Sequence, residues 1–192
     1  MRLRIILVLA AIILTMAVVA WILAFRPGGG EGVLVDKRFE ELVSGVEEGL
    51  RVSVEGLKEN GFFEEAYTCD GEDRAPRVSV EGVPGQAEAV ALVMYDPDAP
   101  IGTFTHWLSI APARESLTFP GDARVEGRND FGRIGYGGPC PPRGHGVHRY
   151  FFLVLALDRD PGLGRGFTLD QLLESIKGHI VSYGYTVGKY ER

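Results

Sequence analysis

The sequence predicts a mainly β domain: an antiparallel β-sheet sandwich with a C-terminal helix, preceded by one N-terminal transmembrane helix and a short juxtamembrane helix. Three observations predict it. Ala89–Tyr95 (AVALVMY) and Arg149–Leu157 (RYFFLVLAL) are short apolar runs flanked by proline- and glycine-rich stretches, the pattern of strands buried on both faces. Leu50–Leu57 (LRVSVEGL) alternates apolar and polar residues, as a strand with one solvated face does. Ile5–Phe25 runs twenty-one residues without a charge.

Taken in order, that uncharged run comes first. A helix of this length spans about 30 Å, the thickness of a bilayer's hydrocarbon core. Trp21 and Phe25 suit an interfacial position, and Arg4 and Arg26 bracket the segment. The competing reading is a cleaved signal peptide, whose apolar region would be unusually long and which no small-x-small site follows. Residues 1–26 therefore read as a single-pass anchor. Residues 27–49 read as a linker: Pro27–Gly32 (PGGGEG) is a flexible tether. Asp36 then caps a helix with Phe39, Leu42, Val43, Val46 and Leu50 at helical spacing and Gly49 near its end. That helix is either an amphipathic spacer packed on the domain or a docking element for a partner.

Residues 50–192 form the domain. Beyond the three strands already named, His106–Ile110 (HWLSI) reads as a strand, while Gly61–Gly71 and Gly127–Gly138 read as loops and Arg159–Phe167 as a surface turn. Thr168 caps a helix to Gly178 whose core stripe is Leu169, Leu172, Leu173 and Ile176. Ile180–Tyr190 is the last strand. The chain has 192 residues, 45% hydrophobic and 24% charged, enough for one domain with a real core. Its net charge is −6, and because residues 1–26 hold three arginines and no acid, the rest stands near −9. That balance argues against nucleic acid as a partner.

The chemistry concentrates in two stretches. Gly137–Tyr150 (GGPCPPRGHGVHRY) is dense in glycine and proline, so it is a shaped loop, and it places His148 and Tyr150 where that loop enters a rigid strand. Asp96–Pro100 (DPDAP) mirrors it: two carboxylates stiffened by prolines end one strand, and His106 begins the next. Together DPDAP, the following THW, RNDFGRIGYGGPCPP and GHGVHRY resemble the phosphatidylethanolamine-binding protein family, which includes the Raf kinase inhibitor proteins and their bacterial and archaeal relatives. The resemblance spans roughly Leu50 to Arg192, with the motifs in the family's order. The chain departs from the family's PPLSW pattern at Arg77–Pro84 (RVSVEGVP), where Arg77 and Val80 stand for a proline and a tryptophan, which implies a differently shaped pocket.

The resemblance implies a pocket for a small anionic or phosphorylated ligand, lined by Asp96, Asp98, His106, Gly138, Cys140, Pro141, His148 and Tyr150. Imidazoles would donate to the oxyanion, with carboxylates behind them to orient the rings and raise their pKa. Tyr150 and the loop amides after Gly138 would add neutral donors. No cofactor or metal is implied. Relatives that inhibit kinases or serine proteases make a partner enzyme a further expectation. His145, between glycines, reads as a rim residue, His179 has no site role, and Arg149 points to the opposite sheet face from His148 and Tyr150.

Two other readings of the same residues compete. Cys140, His148 and Asp96 can be written as a thiol hydrolase, although Cys140 sits in a rigid Pro-Cys-Pro loop and not at a helix N-terminus that would lower its pKa. Two histidines and two aspartates can also hold a divalent metal, although their spacing matches no ligand motif. The family resemblance brings the loops of Cys69 and Cys140 to one end of the sheet. A disulfide there would favour an extracytoplasmic domain, and two free thiols are the alternative.

Overall fold

The computed structural model describes residues 34–192, within which Val35–Arg192 form one compact unit. The predicted anchor at residues 5–25 and the tether at 27–32 lie outside the described residues. Among the described residues no helix is long and apolar enough to cross a membrane.

The unit begins with helix α1, Lys37–Leu42. Asp36 caps it by accepting the Arg38 N–H at 2.9 Å, and its buried side chain, Phe39, packs 4.3 Å from the Tyr95 ring. The spacing predicts a helix continuing to Gly49, but the chain leaves it after Leu42. Gly45 adopts φ +78, and the Gly49 and Leu50 N–H groups both reach the Tyr183 carbonyl. Sheet pairing captures the segment that periodicity assigns to helix.

Eight strands follow: β1 (Arg51–Val54), β2 (Val78–Glu81), β3 (Ala89–Asp96), β4 (Phe104–Pro112), β5 (Ser116–Phe119), β6 (Val125–Glu126), β7 (His148–Leu157) and β8 (Ile180–Tyr190). They pair antiparallel in two sheets, ordered β1-β2-β5 and β6-β4-β3-β7-β8. Strands β3 and β7 are buried along almost their whole length because both of their faces are covered. Val90, Leu92, Met94, Phe152 and Val154 meet Val78, Val80, Leu117 and Phe119 of the small sheet in one core cluster. On the opposite face Tyr95 stacks on Phe151 at 5.1 Å. Burying each such apolar side chain is worth about 1.5–3 kcal/mol, which is why the apolar runs could be read as strands.

Strand β8 passes so close to the start of β1 that a Cβ on Gly184 would lie 2.2 Å from the Leu50 carbonyl oxygen. Helix α2, Leu169–Ile176, carries the predicted cap as a full capping box: Thr168 accepts from the Gln171 N–H, and the Gln171 side chain accepts from the Thr168 N–H. Leu172 and Ile176 are its buried residues.

Candidate functional site

The sheet delivers the site residues through a bulge. Along β3, Val90, Leu92 and Met94 face the core cluster, and the two-residue period carries Asp96 to the same side; along β7, Phe152 and Tyr150 do the same for His148. In the β3–β4 ladder Met94 pairs with Trp107 but Tyr95 pairs with Thr105, leaving His106 as the extra residue. A bulge lets two successive residues share a face. Trp107 thus packs in the cluster against Phe119 while His106 lies edge-to-face on Tyr150, 5.1 Å away.

These residues surround a cavity of about 250 Å3, in which Asp96, His106, His148, Tyr150, Cys140 and Pro141 meet. Its apolar walls are Phe104, Phe131, Pro100, Pro142 and Ile101, the last 85% exposed at the mouth. Asp98, Gly138 and Arg149 do not line it.

Asp96 is 3% exposed and fully engaged: one oxygen accepts the Asp98 N–H at 2.8 Å and the other faces His148 Nδ1 at 2.7 Å. A carboxylate there fixes the His148 proton on Nδ1. The other ring nitrogen, Nε2, lies 2.7 Å from Nδ1 of His145, so Asp96, His148 and His145 form a chain from the buried strand end to the exposed loop.

His106 is set up differently from His148. Its Nδ1 lies 2.7 Å from the Gly137 carbonyl, which can only accept, so the ring carries its proton there. Burial pushes the imidazole's pKa down, against the pull of that carbonyl and of Asp96. The neutral ring therefore has a lone pair at Nε2, for which the described residues supply no hydrogen-bond partner. It is an acceptor.

Tyr150 is wholly buried and, like that of Tyr95 on the opposite face of the sheet, its hydroxyl has no hydrogen-bond partner among the described residues, an arrangement rare enough in folded proteins to ask for an explanation. Burial pushes its pKa far up, so the group stays protonated and able to donate.

Asp98 and Arg149 form a separate unit. The guanidinium clamps the carboxylate through Nε at 2.8 Å and Nη2 at 2.6 Å, and the Arg149 backbone N–H adds a third bond at 2.9 Å. The Arg149 bonds hold the Asp98 carboxyl below the usual carboxylate range. The pair lines a more open depression beside the cavity, shared with His145, Lys189 and Phe62 and bordered by His148. The clamp turns the Asp98 carboxylate to Arg149 and away from the cavity, and Arg149 does leave the face of His148 and Tyr150.

The Gly138 amide, expected as a ligand donor, is bonded to Asp73 Oδ1 at 2.6 Å. A Cβ there would sit 2.5 Å from the Tyr67 carbonyl oxygen, so this glycine allows two loops to touch. The same seam is fastened by the Cys69 N–H to the Pro139 carbonyl at 3.1 Å and by the Tyr136 hydroxyl to the Tyr67 carbonyl at 2.6 Å. Cys69 and Cys140 are joined in a disulfide with Cα atoms 5.4 Å apart. On the loop-entropy account, a bridge across 71 residues is worth about 4 kcal/mol. It also removes the thiol that a Cys140–His148–Asp96 hydrolase needs. Among the described residues no three His, Cys, Asp or Glu side chains are grouped to hold a metal ion. The Arg77–Pro84 departure falls on β2, whose Val78 and Val80 serve the core and not the cavity wall. His179 pairs with Asp158 at 2.9 Å, and neither residue lines the cavity.

Three contributors carry no local motif: the Gly137 carbonyl that sets the His106 tautomer, Asp73, which holds Gly138, and His145 as a partner of His148. Only the last had a signal, the spacing of three between the two histidines. The first two depend on contacts between residues 31 and 65 positions apart.

An eight-stranded antiparallel sandwich with a cavity at the strand ends, built from DPDAP, a bulged histidine and HRY, defines a class of protein. The sequence profile of the phosphatidylethanolamine-binding protein family matches residues 54–191, and the chain belongs to that family. A UPF0098 protein of Pyrococcus abyssi is 45% identical over 162 residues, covering 79% of this chain and 90% of the relative. One from Aquifex aeolicus is 43% identical over 152 residues, 74% of this chain and 89% of the relative. Among solved structures, a putative phosphatidylethanolamine-binding protein homologue, CT736 of Chlamydia trachomatis, superposes with a TM-score of 0.66 at 32% identity, covering 76% of this chain and 99% of its own. YbcL of Escherichia coli, described as a member of the mammalian family, superposes at 0.67 with 27% identity, covering 75% of this chain and 99% of its own.

Proposed function

We propose that the cavity binds a small phosphorylated ligand and that the protein works as a binding module. The observation that carries this reading is the buried, unpartnered Tyr150 hydroxyl, set in one cavity with the free Nε2 of His106. One is a donor and the other an acceptor. A singly protonated phosphate or phosphate monoester offers both matching groups, an anionic oxygen for Tyr150 and a P–OH for His106. His148, backed by the Asp96 carboxylate, is the ring placed to serve the anion's remaining oxygen through Nε2–H. The apolar walls then suit the carbon skeleton that an ester carries. The family's name adds weight to a phosphorylated headgroup.

The test is calorimetric titration with phosphorylethanolamine. His148→Gln keeps an N–H that can serve Asp96 and removes the imidazole. It should weaken binding about ten- to a hundredfold, the loss of one charge-assisted hydrogen bond of about 1.5–3 kcal/mol. Equal affinity in both proteins, each shown folded by its melting curve, rejects the site.

The same reading places the domain on a membrane through residues 5–25, with the domain outside the cytoplasm. The disulfide suits an oxidising compartment, although intracellular proteins of hyperthermophiles also keep such bonds. The apolar run is therefore the stronger support, and resistance of the full chain to carbonate washing from membranes is its check.

A further inference from the structure

We infer that His145 is a positioning residue that occupies the ligand's place on His148, and that an anion must displace it to bind. This rests on the phosphate-binding reading of the cavity and adds the step by which the site opens.

The argument starts from hydrogen-bond capacity. An imidazole has two nitrogens, each with one in-plane direction for a bond. His148 commits Nδ1 to Asp96 at 2.7 Å, and its only remaining direction, at Nε2, is filled by His145 Nδ1 at 2.7 Å. The rings lie 5.0 Å apart and steeply inclined, so His145, reaching in from the depression beside the cavity, covers the one edge of His148 that is not turned to Asp96. While this bond stands, His148 has nothing to give a ligand.

His145 is also built to leave. It is exposed, and it lies between Gly144 at φ +77 and Gly146 at φ +90, positions that a side chain would strain and where no neighbour lies within 4 Å of a built Cβ. His148, by contrast, is 1% exposed and anchored in β7. When the pair separates, the loop residue is the one that moves.

Proton count decides when the bond holds. With Nδ1–H of His148 on Asp96, the contact between the two rings needs one proton. It survives if His145 donates to a neutral His148, or if a charged His148 donates to a neutral His145. When both rings are charged, two N–H groups face each other and the contact breaks. Any condition that puts a proton on both rings releases His145 and leaves His148 with Nε2–H free. The other charged and titratable groups around the pair are Asp96 at the end of β3, Asp98 in the turn after it, Arg149 and Tyr150 on β7, His106 on β4 and Lys189 on β8. Asp98 and Arg149 neutralise one another.

The experiment is calorimetric titration of the full chain with inorganic phosphate at about pH 8 and about pH 5, for wild type, His145→Ala and His148→Gln. At about pH 8, His145→Ala should bind phosphate roughly 2- to 10-fold more tightly, because no hydrogen bond has to be broken first. At about pH 5 that advantage should vanish or invert, because a pair in which both rings carry a proton cannot hold the bond. A purely structural His145 would not give a gain that depends on pH. If His145→Ala binds equally or more weakly at pH 8 while His148→Gln loses affinity, the cavity reading stands and this inference falls. If neither wild type nor His145→Ala binds phosphate, both fall.

Discussion

Tyr150→Phe separates stability from function at a single oxygen atom. The substitution keeps the ring, and with it the edge-to-face contacts to His106 at 5.1 Å and to Phe63 at 6.0 Å. It removes only the hydroxyl, which is buried without a partner. An unsatisfied buried polar group costs about 1–3 kcal/mol. Even a recovery of about 1 kcal/mol raises the melting temperature of a domain this size by about 2–4 °C. The same hydroxyl is the neutral donor assigned to the ligand's charged oxygen, a bond worth about 1.5–3 kcal/mol, so phosphate affinity should fall about ten- to a hundredfold. Melting followed by circular dichroism and titration calorimetry on the same two preparations give both numbers. Opposite signs are required. A Tyr150→Phe protein that melts lower and binds phosphate as before would refute the reasoning, because the hydroxyl would then serve the fold alone.

Two further outcomes follow from the scaffold around the cavity. Replacing both Cys69 and Cys140 with serine should cost up to about 4 kcal/mol, seen as a lower midpoint in denaturant, and a midpoint equal to that of the oxidised wild type would show that the seam of hydrogen bonds carries the load alone. Burial pushes the Glu126 carboxyl above its ordinary value of about 4.5, against the pull of the Trp107 and Ser109 donors. The folded state then holds a proton that the unfolded chain has released, so this contribution is full below about pH 4.5 and is lost as pH rises through the elevated value. Glu126→Gln keeps an acceptor for the Trp107 indole and cannot ionise. Its melting temperature should decline less than that of wild type over that window, and identical slopes would dismiss the effect.

The apolar strands and the capped C-terminal helix were legible because their information is local. Ala89–Tyr95 and Arg149–Leu157 announce themselves by a run of side chains that only a doubly covered strand can bury. Thr168 and Gln171 form their capping box across one turn. Strands β2, β5 and β6 were not legible, since four, four and two residues are too short to show a period and are held by partners far along the chain. The N-terminal helix was legible at its start, where Asp36 caps it, and misread at its end, where β8 supplies the competing acceptor.

The site divides along the same line, and the division explains why its residues could be named before their roles. Asp96, His106, His148 and Tyr150 sit at strand ends, so local pattern and family resemblance both find them. What each one does depends on the second partner of each polar group, which the chain brings from elsewhere. Gly137, 31 residues from His106, makes that ring an acceptor at Nε2 by accepting its Nδ1–H. Arg149, 51 residues from Asp98, withdraws a carboxylate and leaves Asp96, among the described residues, as the one carboxylate lining the cavity. A pocket with two free carboxylates and two donor imidazoles would be a metal or ammonium site as readily as an anion site. With Asp98 clamped by Arg149, Asp96 bonded to His148 and His106 held neutral, the groups that stay unpaired among the described residues lining the cavity are one buried hydroxyl and one lone pair. That residue of unmet hydrogen bonding, more than the list of side chains, argues for an oxyanion that carries a proton of its own.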